Sequence, residues 1–227
     1  MPEALKLLYE DASLLVVEKA PGLSTEGGSG PTVLEALEGM GKPCFLLHRL
    51  DRETGGLLLL ARTKEAAATL SREIAEREIR KEYLAVVEGR PSPAAGSLRD
   101  LLYRDRTKNK SYVVSRPRKG VKEALLDYRV LESLDAEAGP LTLVRVTLHT
   151  GRSHQIRVQF SSRSMPLYGD SRYGSRNRGV SLALWSHRLR FRHPDTGEEL
   201  TFCSLPPQEG IWAAFGAVGS AAEPMEG

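Results

Sequence analysis

The chain has 227 residues, of which 41% are apolar and 27% charged, with a formal net charge of +3. That length buries a sizeable core and suits one large domain or two small ones, and the composition argues against a membrane-spanning or low-complexity protein. The only cysteines, Cys44 and Cys203, form no Cys-x-x-Cys pair, which argues against a zinc site or a disulfide framework. The opening Met1-Pro2-Glu3-Ala4 has no apolar signal core, so a cytoplasmic location is expected.

In chain order, residues 5–9 and 14–18 read as short strands joined by the polar step Glu10-Asp11-Ala12-Ser13. Lys19-Ala20-Pro21-Gly22-Leu23 breaks that pattern. Residues 26–31 are glycine-rich and read as a mobile loop without phosphate-loop spacing. Thr32 suits the N-cap of a short helix through Leu37. The densest stretch runs from His48 to Arg62. It sets one aspartate, Asp51, among three possible cations, His48, Arg49 and Arg52, ahead of a Gly-Gly turn and a short apolar strand over residues 57–61. Asp51 therefore sits on a loop pinned to the core by the next element, which is how a fold holds a reactive group still. Taken alone, an Asp-Arg pair reads as a weak surface ion pair. A packing helix follows, with Thr63 as N-cap and Ala67, Leu70 and Ile74 at helical spacing.

Residues 81–89 alternate as a strand with Tyr83, Ala85 and Val87 on one face, and alone Tyr83 reads as a core aromatic. After a loop at 91–96, residues 99–122 hold nine Lys or Arg and only two acids, with Tyr103 and Tyr112 interleaved. This stretch reads as a hairpin or long loop, with Arg106, Lys108 and Lys110 as candidate phosphate contacts. Arg172, Arg176, Arg178, Arg188, Arg190 and Arg192 form a second basic set. Residues 124–131 and 141–148 read as strands around a polar turn at 132–140. In residues 149–160, Gly151 permits a tight turn, Ser153 suits a helix cap, and Ile156 and Phe160 face the core, while His154 and Arg157 share another face. Residues 190–198 read as a strand and its turn. Small residues without periodicity from Gly216 onward suggest an unstructured tail, which leaves 1–215 as a single domain.

Three of these strings carry a resemblance. His48-Arg49-Leu50-Asp51 with Thr54-Gly55-Gly56, then Lys81, Tyr83, Ala85, Val87 and Gly89 at alternate positions, then residues 150–158 resemble the three motifs of the RluA-type pseudouridine synthases. Pro166-Leu167-Tyr168-Gly169-Asp170 is also similar to that family, and the likeness spans roughly residues 5–207. The chain departs from the pattern at Ala20, where a proline usually follows the lysine, at Gln159, where histidine is common, and at Trp185-Ser186-His187, where relatives often carry histidine-alanine.

The resemblance implies an α+β pseudouridine synthase fold, with a mixed, mostly antiparallel central sheet, flanking helices and a central RNA-binding cleft. It implies an RNA pseudouridine synthase that needs no cofactor and no metal. Asp51 is its expected nucleophile, Arg157 the cation paired with it, and Tyr83 the platform under the target base. His48, Arg49, Arg52, Arg152 and His154 join the basic hairpin as expected RNA contacts. Because the first strand begins by Leu5, the expected form lacks the small N-terminal RNA-binding domain of many relatives. The expected partner is a ribosomal or transfer RNA stem-loop, bound by a monomer without a membrane. A non-catalytic RNA-binding or RNA-folding protein of the same fold is disfavoured because all three catalytic positions are filled. An aspartate-nucleophile hydrolase is disfavoured because no metal-binding carboxylates cluster near Asp51 in sequence.

Overall fold

The computed structural model describes residues 4–27 and 30–221. Its elements run β1 (Leu5–Glu10), β2 (Leu14–Lys19), α1 (Val33–Gly39), β3 (Phe45–Leu46), β4 (Gly55–Ala61), α2 (Lys64–Glu76) and β5 (Arg80–Glu88). The chain continues through β6 (Ala95–Asp105), β7 (Lys110–Val114), β8 (Val121–Ala136), β9 (Gly139–Leu148), α3 (Gln155–Ser161), β10 (Leu184–Arg192), β11 (Glu199–Cys203) and α4 (Ala217–Ser220). 3-10 turns span Ser171–Tyr173, before β10, and Gly210–Ala214, before α4. The chain packs as two compact units, residues 1–81 with 185–206, and residues 82–184 with 207–227.

In the first unit the strand order is β1-β2-β4-β10, with β3 on β4 and β11 on β10. β1, β2 and β4 pair antiparallel, whereas β10 runs parallel to β4 through Trp185↔Gly55 and Ser186↔Gly56, so the sheet is mixed. All seven residues of β4 are buried, as an apolar run covered on both faces must be. Leu57 and Leu59 join Leu14, Val16 and Phe191 in a core closed by Ala66 and Leu70 of α2. Both helices start where the sequence places them. Thr63 Oγ1 accepts the Ala66 N–H, and Thr32 and Glu35 form a reciprocal capping box; the helix that Thr32 starts ends at Gly39, two residues beyond Leu37.

The Gly-Gly pair is not a turn; it opens β4. A Cβ on Gly55 would lie 2.2 Å from the Trp185 ring, and one on Gly56, whose φ is +102°, would lie 2.2 Å from the Ser186 carbonyl oxygen. The glycines are needed because β10 approaches the backbone at this point.

In the second unit the order is β5-β9-β8-β6-β7. The basic stretch is a hairpin, with Tyr103 opposite Tyr112 and Asp105 opposite Lys110. The polar turn expected at 132–140 is instead more strand: β8 and β9 pair out to Ala136↔Gly139, and a register shift between Val130 and Glu132 lets the pairing continue. α3 packs on β6 and β7, with Val158 among Leu102, Ala124 and Tyr173 and with Phe160 edge-on to Tyr128 at 5.7 Å. The expected unstructured tail from Gly216 is corrected in its described part. The Ala217 N–H donates to Glu132, Arg145 donates to the Ala221 carbonyl, and Val218 is fully buried, so Ala217–Ser220 fold as α4. The rest of that expectation, residues 222–227, and the Gly28-Ser29 part of the expected mobile loop lie outside the described residues.

Candidate active site

The Asp51 loop is fastened from three sides within the first unit. Leu50 is buried, and its N–H and carbonyl both bond Thr25 Oγ1, at 3.2 and 2.9 Å. Just after the aspartate, the Arg52 carbonyl accepts the Gly22 N–H at 2.7 Å and the Lys19 ammonium at 3.3 Å. The Thr54 N–H closes back on the Asp51 carbonyl at 3.0 Å. Lys19 is fully buried and also donates to the carbonyls of Ala20 and Leu23. Burial pushes its pKa down to about 8, while the charges of Asp51 and Glu53 hold it up. Lys19 is thus a buried cation beside the Asp51 loop. Sequence reasoning missed this role, although the Lys-x-Pro-Gly string marked the position.

His48 departs from its expected role. Its Nε2 accepts the Leu59 N–H at 3.1 Å, and burial, helped by the charge of Lys81, pushes its pKa down to about 3. It is a neutral acceptor tying the loop to β4, and not one of three cations around Asp51. Arg49 is about half exposed and pairs with Glu26 at 3.0 Å; Arg52 is exposed, and its Nε donates to the Gly22 carbonyl.

In the second unit Tyr83 lies on β5 and is 6% exposed. The turn before α3 is built by Gln155. Its Oε1 accepts the Arg152 N–H and the Thr150 hydroxyl, and its Nε2 donates to the Leu125 carbonyl. The helix cap is therefore His154, in the left-handed region at φ +55°, and not the expected Ser153. Arg152 turns its Nε to the Glu123 carbonyl at 2.8 Å. His154 and Arg157 meet at one aromatic ring. His154 Nδ1 lies 2.9 Å from the Tyr173 hydroxyl, and the Arg157 guanidinium lies 5.3 Å from the ring centroid. Lys110 of the hairpin stands 5.0 Å from the same centroid. Arg106 and Lys108 are exposed at the hairpin tip, where Arg172 donates to the Lys108 and Asn109 carbonyls. Of the second basic set, Arg172, Arg176 and Arg178 belong to this unit, whereas Arg188, Arg190 and Arg192 lie on β10 in the first, where Arg190 pairs with Glu199. Arg157 itself is buried, and its Nε and Nη2 donate to the two carboxylate oxygens of Asp170 at 2.7 and 2.8 Å. Both thiols are free, and among the described residues no group of three or more His, Cys, Asp or Glu is placed to hold a metal ion. No helix among those residues is long and apolar enough to cross a membrane.

The mixed sheet with flanking helices is shared with solved pseudouridylate synthase domains. The human RNA pseudouridylate synthase domain containing 1 superposes with a TM-score of 0.78 at 27% identity, covering 94% of this chain and 88% of that one. Residues 13–162 match the family model described as RNA pseudouridylate synthase. The chain is 34% identical to an uncharacterized RNA pseudouridine synthase of Aquifex aeolicus, over 87% of this chain and 68% of the relative. It is 36% identical to the ribosomal large subunit pseudouridine synthase D of Vibrio vulnificus, over 91% of this chain and 69% of the relative. The chain belongs to the RNA pseudouridylate synthase family. Its activity is accordingly that of an isomerase acting on RNA, converting uridine to pseudouridine.

Proposed function

We propose that this enzyme modifies specific uridines in a structured ribosomal or transfer RNA, as a cytoplasmic monomer, with Asp51 as nucleophile. The observation that carries the reading is the family match over residues 13–162, which takes in Asp51, Tyr83 and Arg157 together. The reaction breaks the bond from uracil N1 to ribose C1′, turns the base, joins C5 to C1′, releases the C5 proton and leaves a proton on the freed N1. Atoms and oxidation state balance without a co-reactant. Attack by the carboxylate at C1′ or on the base ring both satisfy that balance.

A nucleophilic carboxylate must be ionised yet poorly solvated. Lys19 is a buried cation in the same unit, whose own pKa is held up by the charge of Asp51, and Arg157 is the proposed second cation. Tyr83 presents a flat face for uracil and a hydroxyl suited to taking the C5 proton. The uridine must first leave its stack, at a cost of a few kcal/mol. Arg49, two residues before the nucleophile, is the proposed group that fills the vacated space or holds a neighbouring phosphate. A central basic cleft is proposed as the seat of the RNA.

The test uses ribosomal and transfer RNA transcribed with 5-tritiated uridine. Wild-type protein is expected to release tritium, and Asp51→Asn to release none above background while binding the same RNA. An asparagine variant that turns over at the wild-type rate would remove Asp51 from the chemistry.

A further inference from the structure

The side chain that holds Arg157 is fixed as firmly as Arg157 itself. Asp170 is 1% exposed, and its two oxygens take two parallel N–H bonds from the guanidinium, which sets the plane of that group. The ring of Tyr173 lies against the guanidinium and limits its tilt. Each of these two partners is pinned in turn. Asp170 Oδ1 accepts the Tyr173 N–H and so starts the 3-10 turn, and the Asp170 N–H donates to the Leu167 carbonyl. Gly169, at φ +78°, leaves a Cβ no room, since it would lie 2.3 Å from the Ser181 carbonyl oxygen. The Tyr173 carbonyl accepts the Ser161 hydroxyl from the end of α3, and its phenol oxygen accepts the Ser111 N–H from β7 at 2.8 Å. The Gly169–Tyr173 turn, α3 and the basic hairpin thus converge on one guanidinium.

We propose that Asp170 and Tyr173 are positioning residues for the isomerisation, acting through Arg157 by fixing the direction in which its guanidinium presents its charge. The inference rests on the reading of Arg157 as an active-site cation. A misplacement of about 1 Å in a catalytic group costs on the order of 100-fold in rate, so loss of the fork acts on turnover and leaves RNA binding in place.

A double-mutant cycle tests this with the full chain and 5-tritiated ribosomal RNA, under single-turnover conditions. Asp170→Asn is expected to slow tritium release about 100-fold, with the RNA half-saturation point changed by less than about twofold. Once Arg157→Lys is present, adding Asp170→Asn is expected to cost less than about threefold, because the group it steers is already gone. If Asp170→Asn does not fold by its melting curve, Tyr173→Leu takes its place in the same cycle, since it keeps apolar bulk and removes the ring face. Equal losses in both backgrounds, or a folded Asp170→Asn within threefold of wild type, overturn the inference while leaving the proposed reaction intact. A wild-type protein that releases no tritium from any tested RNA overturns the proposed reaction instead, and this inference with it.

Discussion

At the scale of single residues, charge state follows from burial and partners and not from residue type. His48 stands between Leu47 and Arg49 in a cation-rich string, yet it accepts a backbone N–H from β4 and stays neutral. Its folded pKa, about 3, lies below the unfolded value near 6.5, so the unfolded chain binds a proton that the folded chain refuses. Stability is therefore complete above about pH 6.5 and falls as the pH drops from there toward 3, by at most about 1.4 kcal/mol per pH unit. Asp11 has its pKa held down to about 2 by the N–H groups of Leu14 and Ser13 and by His193 and Tyr9 despite partial burial, so its loss of stability begins only below about pH 4. The difference in melting temperature between wild type and His48→Gln, followed from about pH 6.5 to about 4.5, isolates this histidine. The wild type is expected to lose stability across that window, and His48→Gln to flatten the slope; an unchanged slope would mean that His48 is protonated in the fold.

At the scale of elements, the chain's local rules and its close approaches differ in how visible they are. Gly56→Ala is expected to destabilise the fold by about 3 kcal/mol or more, from a left-handed backbone that a side chain resists together with a clash against β10. Urea unfolding measures this, and a loss under about 1 kcal/mol would show that β10 can yield. The N-caps Thr32 and Thr63, the buried run of β4 and the hairpin at 99–122 were all legible in sequence, because caps, periodicity and charge act over a few residues. The reason for Gly55-Gly56 was not, since Trp185 and Ser186 reach them from far along the chain. The same holds for the site. The three motifs placed Asp51, Tyr83 and Arg157 as candidates, but Lys19 and Asp170 show their roles only once three carbonyls surround the one and a guanidinium meets the other. The 132–140 segment misled because its polar residues sit on an exposed part of a long hairpin and resemble a turn.

At the scale of the whole molecule, a net charge of +3 conceals a local concentration of positive charge. Arg106 and Lys108 stand exposed at the tip of the β6–β7 hairpin, and exposed Tyr112 offers a ring beside Lys110. RNA affinity is expected to fall steeply between about 50 and about 200 mM salt, with a log–log slope of roughly 0.7–0.9 for each phosphate contacted. Replacing Arg106 and Lys108 together by Gln should reduce that slope by roughly 1.4–1.8. Filter binding at several salt concentrations reads both quantities, and a flat titration would take the hairpin out of RNA recognition.

The parallel contact of β10 with β4 also bears on how the protein is made. Its two strands lie more than half the chain apart, with the whole of β5 through α3 between them. A nascent polypeptide leaving the ribosome already contains β1, β2, β4 and α2, but the strand that covers the open side of β4 has yet to be synthesised. Closing so long a connection is entropically slow. During that interval the Gly55-Gly56 end of β4 lacks its partner strand and the core around Leu57 and Leu59 lacks Leu189 and Phe191, so translation must run past Arg192 before the first unit can seal itself.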